Sequence, residues 1–282
     1  MKKLHKEFIV NELIFLKDKQ SANKVAAQAK VSSATISQMI NHNWDLIRDE
    51  MWLKVKVNLN INWSWVIAET QNLELINDLL SKTQKGSMSI CIADKAGLGK
   101  TTAFEYYKKR HNNVILIRCK NYWSKKSFAR HQLIACGLEA GGTTEEMIER
   151  FQDHLAQQIK PIVIYDQYDK LKEPQKDLFM DYYNELDGYC GFVLSGVPAL
   201  RKQEENGYKR NKMGYRERFS RYGSKFINLN KYNLQDVGKI CIANGISDKE
   251  IIEDVFENSL GDGRRIKREI EKYFLTQAET IV

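Results

Sequence analysis

The chain has 282 residues, of which 43% are hydrophobic and 28% charged, and this length can supply one large core and a small additional module. The formal net charge of +8 favours a polyanionic partner such as nucleic acid. No apolar stretch approaches the roughly 18 residues of a membrane span, so we expect no membrane partner. The five cysteines include no C-x-x-C pair, which argues against a zinc site or a disulfide framework and favours a reduced, cytoplasmic protein.

The first 55 residues are expected to form a separate helical module. Apolar residues recur at helical spacing from Phe8 to Lys17, a second helical pattern ends at Val31, and a third helix is predicted over residues 34–41, after a turn at Ser32. This order resembles the helix-turn-helix of phage repressors, whose second helix enters the major groove of DNA. The proposed recognition helix holds no arginine or lysine. A bundle that contacts protein, or DNA without reading its sequence, therefore stays open as an alternative.

A connecting segment, residues 56–85, leads to a glycine-rich loop. Residues 87–93 form an apolar run suited to a buried strand, and residues 102–110 have a helical pattern. The P-loop core Gly-x-Gly-Lys-Thr is intact between them, although an aspartate takes the place of the first glycine. The predicted nucleotide-binding residues of the loop are Asp94, Lys95, Ala96, Gly97, Leu98, Gly99, Lys100, Thr101 and Thr102.

The chemistry of this loop predicts a site for ATP and Mg²⁺. Backbone N–H groups of such a loop surround phosphate oxygens, Lys100 reaches the β- and γ-phosphates, and the Thr101 hydroxyl ligates the metal. Asp94 is expected to repel phosphates unless its carboxylate points outward or pairs with Lys95.

The apolar run at residues 162–165 is followed by Asp166, a predicted metal ligand, and then by Gln167. A hydrolysing P-loop ATPase usually carries a carboxylate at this second position, where it acts on the attacking water as a general base. An amide can hold a water but has no useful basicity near neutral pH. The sequence therefore predicts ATP binding with slow or blocked hydrolysis. A naturally slow enzyme and an engineered replacement of a glutamate both stay open as explanations of Gln167.

Strands and helices alternate from residue 86 to about residue 230. The predicted strands include residues 114–119, 162–165 and 191–195, and the helices between them include residues 144–158 and 174–186. This alternation predicts an α/β fold with a parallel sheet covered by helices on both faces. Helical patterns at residues 236–244, 248–258 and 264–275 then predict a small C-terminal lid over residues 231–282.

Two basic regions are candidates for contact with the DNA backbone. After the second strand, lysines and arginines are interleaved with aromatic residues, a composition suited to phosphate contacts that do not read sequence. Residues 201–225 contain nine basic and three acidic residues, which a solvated helix face would normally balance more evenly. The candidate DNA-binding residues are Lys120, Lys125, Lys126, Arg130, Lys209, Arg210 and Lys212.

Together these motifs resemble the AAA+ family of P-loop ATPases and, within it, the transposition ATPases typified by the phage Mu B protein. The narrower resemblance rests on the N-terminal module, the small size, the sequence of residues 165–171 and a Gly-x-Pro-x-Leu turn at residues 196–200. It implies an AAA+ core over residues 86–230, ATP and Mg²⁺ as ligands, and the cytoplasm of a bacterial or phage-infected cell. Members of the family read Asp-Glu where this chain has Asp166 and Gln167.

The resemblance also implies roles for individual residues. Ser195 would be the polar sensor at the end of the fourth core strand, and Arg264 would reach the nucleotide from the lid, with Arg265 as second choice. Arg218 and Arg221 are placed like the arginine finger that completes a neighbouring subunit's site, with ordinary surface arginines as the alternative. A finger requires a neighbour, so head-to-tail self-assembly is expected.

The resemblance therefore favours a protein that coats double-stranded DNA as an ATP-bound helical filament and delivers that DNA to a partner transposase. Two other functions use the same parts. One is a replication initiator or helicase loader, which would form closed rings or bind one defined sequence. The other is an ATP-dependent transcriptional regulator whose N-terminal module represses a promoter.

Overall fold

A computed structural model describes residues 3–59, 61 and 65–280 of the chain. The chain divides into two compact units, Met1–Val66 and Ile67–Val282. The finer boundaries expected after residues 55, 85 and 230 remain predictions, and part of the predicted connecting segment lies outside the described residues. No helix in the described part of the chain has the length and apolar character needed to span a bilayer.

The N-terminal unit is a small bundle of helices. Ser21 and Ser32 begin the second and third of these by accepting backbone N–H groups at the helix starts. Val25, Ala29 and Ile36 are buried with Trp52 in the core of the bundle. The helices are α1 (Lys3–Lys19), α2 (Ala22–Ala29), α3 (Ser33–Ile40) and α4 (Asp49–Asn58), with a 3-10 turn at Trp44–Leu46 between the last two.

The C-terminal unit is built on a five-stranded sheet. Its strands are β1 (Ser89–Ala93), β2 (Val114–Arg118), β3 (Ile162–Asp166), β4 (Gly191–Gly196) and β5 (Phe226–Ile227). Its helices are α5 (Gln71–Gly86), α6 (Lys100–Arg110), α7 (Lys125–Cys136), α8 (Thr144–Ala156), α9 (Glu173–Glu185), α10 (Pro198–Lys209), α11 (Tyr215–Arg221), α12 (Leu234–Ala243), α13 (Lys249–Ser259) and α14 (Gly263–Thr280).

The strands lie in the order β2-β3-β4-β1-β5, and all neighbouring pairs are parallel. The predicted α/β fold with a parallel sheet flanked by helices is therefore confirmed. The sequence did not predict β5, since two residues are too short to show a periodic pattern. It also missed α10, which begins at Pro198 inside the expected turn, because proline fits the first turn of a helix.

Alternate side chains of the strands enter two separate cores. On one face, residues such as Val163 and Leu194 pack with α7, α8 and α9 around Phe128 and Phe151. On the other face, residues such as Ile164 and Val193 pack with α5 and α6. Because both faces of the sheet are covered, the sequences of the strands are continuous apolar runs. The five cysteines are buried free thiols.

The carboxyl ends of the three central strands meet at one edge of the sheet. In the parallel register, Ala93 at the end of β1 pairs with Gly196 at the end of β4, and Tyr165 next to the end of β3 pairs with Leu194. In open α/β sheets, ligands bind outside the carboxyl ends of the strands. This edge is where the loops after β1, β3 and β4 bring the predicted site residues together.

A buried cluster of charges joins α9, α10 and α11. The Arg218 guanidinium is inaccessible to solvent, and its Nε lies 3.0 Å from Oε2 of Glu204, which is also buried. A second nitrogen, Nη2, lies 3.1 Å from Oε2 of Glu173. Burial by itself would lower the pKa of Arg218, but Tyr168 and Glu204 raise it above its ordinary value. Arg218 therefore stays charged and holds the three helices together.

Replacing Arg218 with alanine should destabilise the C-terminal unit by roughly 3–5 kcal/mol, because the Glu204 carboxylate would be left buried without its cation. Urea unfolding measures this loss. Lys202→Ala, an exposed change on α10, is the matched control and should stay within about 0.5 kcal/mol of the wild-type value. A loss for Arg218→Ala as small as that of the control would contradict this role.

Candidate nucleotide-binding site

The glycine-rich loop lies between β1 and α6 and depends on two glycines in left-handed conformations. Gly97 has a φ of 82° and Gly99 a φ of 84°, which residues with a Cβ rarely adopt. A Cβ on Gly97 would lie 2.4 Å from the carboxylate of Asp262, and one on Gly99 would lie 2.4 Å from the hydroxyl oxygen of Tyr232. Both glycines are therefore required by the backbone and by the close approach of the C-terminal helical segment.

Lys100 begins α6, and its side chain folds back over the loop. The Nζ atom donates to the backbone oxygens of Asp94 at 2.6 Å and Lys95 at 2.7 Å. Burial lowers the pKa of this lysine, while Asp94, Asp166 and Asp169 oppose the shift. These contacts hold the ammonium group at the loop, where a P-loop lysine meets phosphate oxygens.

The remaining residues of the loop divide between surface and core. Lys95, Ala96 and Thr102 are exposed, whereas Leu98 is buried in the core that α5 and α6 form with the sheet. An exposed loop above a buried anchor leaves its backbone accessible to a ligand.

Thr101 and Asp166 come together as predicted metal ligands. The Thr101 hydroxyl donates to Oδ2 of Asp166 at 2.7 Å, although the two residues are 65 positions apart in the chain. Asp166 ends β3 and is buried, and its Oδ1 accepts the backbone N–H of Gln167 at 2.9 Å. A hydroxyl beside a carboxylate is the oxygen pair that Mg²⁺ prefers, so these two residues fit the metal.

Asp94 has a structural role that the sequence left open. Its Oδ1 accepts the backbone N–H of Lys95 at 2.7 Å, and its Oδ2 accepts the backbone N–H of Leu229 at 2.7 Å. The carboxylate pairs with the backbone of Lys95 rather than with its ammonium group. Asp94 therefore anchors the start of the loop to the segment that follows β5.

Gln167 follows Asp166 in a left-handed backbone conformation, with a φ of 59°. Its side-chain oxygen Oε1 accepts a hydrogen bond from Nζ of Lys170 in the 3-10 turn Tyr168–Lys170. Gln167 thus contacts the predicted metal ligand Asp166 through its backbone N–H, while its side-chain amide contacts Lys170.

The end of β4 contributes Ser195 to the same edge of the sheet. Ser195 pairs with Ile92 of β1 in the sheet register and is fully buried. Its hydroxyl has no hydrogen-bond partner among the residues that the structure describes. One residue further on, the backbone oxygen of Gly196 accepts the N–H of Asp94 at 3.3 Å, so β4 also supports the glycine-rich loop.

The C-terminal helices meet the glycine-rich loop through the start of α14. The backbone N–H of Gly263 donates to the Gly97 oxygen at 2.8 Å, and the Asp262 carboxylate accepts the Arg264 N–H at 2.8 Å. Arg264 is exposed, and its positive charge is among the influences that lower the pKa of Lys100. Arg265 is exposed on the same turn. This arrangement places the predicted lid arginine near the P-loop lysine.

The two candidate finger arginines have different environments. Arg218 is enclosed by carboxylates of its own chain, so in this conformation it is not presented to a neighbour. Arg221 is exposed on α11, where its guanidinium lies 5.1 Å from the ring centroid of Tyr183 and 3.4 Å from Oδ1 of Asn184. The environment favours Arg221 for contact with another subunit, and its role as a finger stays a prediction.

The candidate DNA-binding side chains lie mainly on the surface, on two separate elements. Lys125, Lys126 and Arg130 are exposed on α7, and Lys120 is partly buried in the preceding loop. Lys125 also borders a groove of about 670 Å³ that carries four carboxylates, which weakens the positive potential there. Lys209, Arg210 and Lys212 are exposed at the connection between α10 and α11.

Sequence reasoning missed three residues that shape the site. Asn72 of α5 donates to the backbone oxygens of Leu98 at 3.2 Å and Asn230 at 2.7 Å, and so joins the glycine-rich loop to the segment that leads into α12. Asp262 lies in close contact with Gly97, and Tyr232 lies in close contact with Gly99. A lone Asn, Tyr or Asp has no spacing pattern that could have indicated these contacts.

A P-loop before α6 and an aspartate at the end of β3, on a parallel sheet of this order, define a P-loop NTPase of the AAA+ class. Residues 81–204 match the family described as AAA domain, and this stretch includes Lys100, Asp166 and Ser195. Residues 81–204 are therefore similar to an AAA domain. No curated protein sequence matches it.

Two solved structures show a similar fold. One is the Aeropyrum pernix Orc1 protein in complex with DNA, with 16% identity and a TM-score of 0.52 over 74% of this chain and 60% of that one. The other is the Thermotoga maritima RuvB Holliday junction branch migration motor, with 15% identity and a TM-score of 0.48 over 75% of this chain and 64% of that one. The chain thus spans less than two thirds of either protein, and the similarity to the first shows a common fold alone.

The position of Lys100 predicts that nucleotide binding stabilises the C-terminal unit. At Mg²⁺-ATP concentrations about 100 times Kd, a single site should add about 2.7 kcal/mol to the free energy of unfolding. Lys100→Ala should remove most of this gain because the cation that meets the phosphates is lost. Thermal unfolding with and without Mg²⁺-ATP measures it, and Lys85→Ala, an exposed change at the end of α5, should keep the full stabilisation. Equal stabilisation of both variants would count against the site.

Proposed function

We propose that the chain is an ATP-hydrolysing, DNA-binding protein of the AAA+ class whose nucleotide state controls its assembly on duplex DNA. The observation that carries this proposal is the convergence of Lys100, Thr101, Asp166 and Arg264 on one edge of the sheet. These residues come from three separate elements and supply a phosphate cation, two metal ligands and a lid arginine. A structural glycine turn would need none of them.

In this proposal each residue of the site has a separate role in nucleotide binding. Lys100 binds phosphate oxygens, and Thr101 and Asp166 hold Mg²⁺, which when bound neutralises phosphate charge. Arg264 reaches the nucleotide from α14, and the contact of Gly263 with Gly97 transmits the state of the loop to the C-terminal helices. The Ser195 hydroxyl, which is buried and has no hydrogen-bond partner among the described residues, would hold a water or a phosphate oxygen once the nucleotide is bound.

Assembly is proposed to occur head to tail, so that Arg221 of one subunit completes the nucleotide site of the next. A heterologous contact of this kind forms a ring if the rotation closes and a filament if it does not. ATP would bind across the contact and stabilise it, and hydrolysis would dismantle it. Exposure of Arg221 supports this arrangement, because a finger must leave its own chain.

DNA is the proposed partner because the exposed charge is unevenly distributed. When the buried pair Arg218 and Glu204 is set aside, residues 201–225 still hold eight basic and two acidic side chains. Lys126 and Arg130 add a second basic surface on α7. Contacts of lysine and arginine with phosphates bind DNA without reading its sequence. The likeness to a solved structure that contains DNA is compatible with this proposal.

Two biological roles are consistent with such a protein. In the first, an ATP-bound filament delivers target DNA to a transposase. The sequences of residues 165–171 and 196–200, which resemble those of transposition ATPases, support this role. In the second, the chain is a replication initiator or helicase loader. The similarity to the DNA-bound Orc1 protein supports the second role at least as well as the first.

Electron microscopy separates these roles. The chain is mixed with random-sequence duplex DNA and a slowly hydrolysed ATP analogue. Long filaments that follow the length of the DNA are expected if the protein coats target DNA, because open heterologous contacts do not limit their own number. Discrete rings, or assembly at one defined sequence, would instead support the initiator role. Arg221→Ala should abolish either assembly, whereas Lys85→Ala, at an exposed lysine outside both basic surfaces, should not.

DNA binding should fall steeply with salt, because phosphate contacts release counterions. Removing one contacting cation should lower the slope of log K against log [salt] by about one. We expect this for Lys126→Ala and Arg210→Ala, measured by fluorescence anisotropy with labelled duplex. Lys85→Ala provides a control at an exposed lysine outside both basic surfaces. A slope that neither variant changes would remove these residues from the interface.

A further inference from the structure

The amide at Gln167 raises the question of which group receives the proton of the attacking water. Its Oε1 already accepts a hydrogen bond from Lys170, and its backbone is held in the left-handed region. An amide can orient a water molecule but cannot take its proton near neutral pH. If the site hydrolyses ATP, a carboxylate at the same edge of the sheet can take this proton in place of the amide.

Three carboxylates act electrostatically on Lys100, namely those of Asp94, Asp166 and Asp169. Every oxygen of the first two already accepts a hydrogen bond. Both oxygens of Asp94 accept backbone N–H groups, and both oxygens of Asp166 accept hydrogen bonds, one from a backbone N–H and one from Thr101. Asp166 is also the predicted metal ligand. A proton taken up by either carboxylate would weaken the hydrogen bonds that it accepts and that build the site.

Asp169 differs from the other two because only one of its oxygens is used. Oδ1 accepts the backbone N–H of Val197 at 3.2 Å. Within residues 3–59, 61 and 65–280, Oδ2 accepts no hydrogen bond and forms no ion pair. The side chain is partly exposed, so solvent can reach it.

The position of Asp169 is fixed by the end of β4. A Cβ on Gly196 would lie 2.6 Å from Oδ1 of Asp169, so only glycine allows the carboxylate to approach the strand this closely. Gly196 follows Ser195, whose hydroxyl is unpartnered among the described residues, and its oxygen accepts the Asp94 N–H. The free oxygen therefore belongs to the same group of loops as the phosphate-binding residues.

We propose that Asp169 supplies the carboxylate that orients and deprotonates the attacking water, a task that Gln167 cannot perform. The inference rests on the proposed function, since it assumes that the chain binds and hydrolyses ATP. Gln167 helps to orient the water, and Asp169 accepts its proton at Oδ2.

The step is balanced without any further reactant. The water oxygen forms a bond to the γ-phosphorus, and the bond from that phosphorus to the β,γ-bridging oxygen breaks. The electron pair of the broken bond leaves with ADP. The water proton passes to Asp169 and then to phosphate or solvent, which restores the carboxylate.

The experiment compares Asp169→Asn, Gln167→Glu and the double variant with the wild-type chain. Asparagine keeps an oxygen that can accept the Val197 N–H, so Asp169→Asn removes basicity while keeping the contact with β4. Turnover at saturating Mg²⁺-ATP should fall by about 10² to 10⁴, with ATP affinity unchanged within about threefold. Affinity for ADP with aluminium fluoride, which resembles the transition state, should fall by about tenfold or more, while affinity for ADP alone stays the same.

The double variant returns a carboxylate to the neighbouring position and should recover turnover relative to Asp169→Asn. Asp153→Asn, an exposed change on α8, is the matched control and should behave as the wild type. Turnover of Asp169→Asn within about threefold of the wild-type value would overturn the inference. So would a joint loss of ATP affinity and thermal stability, because that result would assign Asp169 a structural role alone.

Failure of the proposed function would look different. If the wild-type chain binds no ATP in the thermal-unfolding measurement, both the proposed function and this inference are contradicted. A wild-type chain that binds ATP without turnover, and gains turnover only on Gln167→Glu, overturns the role of Asp169 and leaves ATP-dependent DNA binding standing.

Discussion

The site depends on the parallel register of β1, β4 and β3, which brings the carboxyl ends of the three strands to one edge. The hydrogen bond of 2.7 Å between Thr101 and Asp166 is its direct result, because it joins the residues that follow β1 to the residue that ends β3. Apolar side chains alternate into cores on both faces and fix this register, since a slip of one residue would exchange the two faces. Every proposed step of nucleotide chemistry begins from that juxtaposition.

The contacts around the glycine-rich loop explain how the C-terminal helices can respond to a nucleotide. Asp94 and Asn72 tie the loop to the segment between β5 and α12, and Gly263 donates to the loop itself. The loop therefore cannot change shape without affecting these helices. Partly buried hydrogen bonds of this kind are costly to break one at a time, which favours movement of the loop and the helices as a unit.

The same physical argument separates the two candidate finger arginines. A guanidinium buried among carboxylates is held by several charge-assisted bonds, and withdrawing it would leave those carboxylates unpaired. Arg218 therefore positions α11, and α11 in turn carries the exposed Arg221. One arginine of the segment maintains the fold while the other remains available to a neighbour.

The sequence by itself determined strands β1 to β4, the glycine-rich loop and the pair Lys100 and Asp166, because each has a local pattern of apolar residues or a fixed spacing. Only the tertiary structure decided the roles of Asp94, Arg218 and Asp169. Their partners lie 135, 14 and 28 residues away, and no local pattern records which of several carboxylates keeps an oxygen free. Burial and long-range pairing are properties of the packed chain, so they assign functions that the same residue types would not have in another fold.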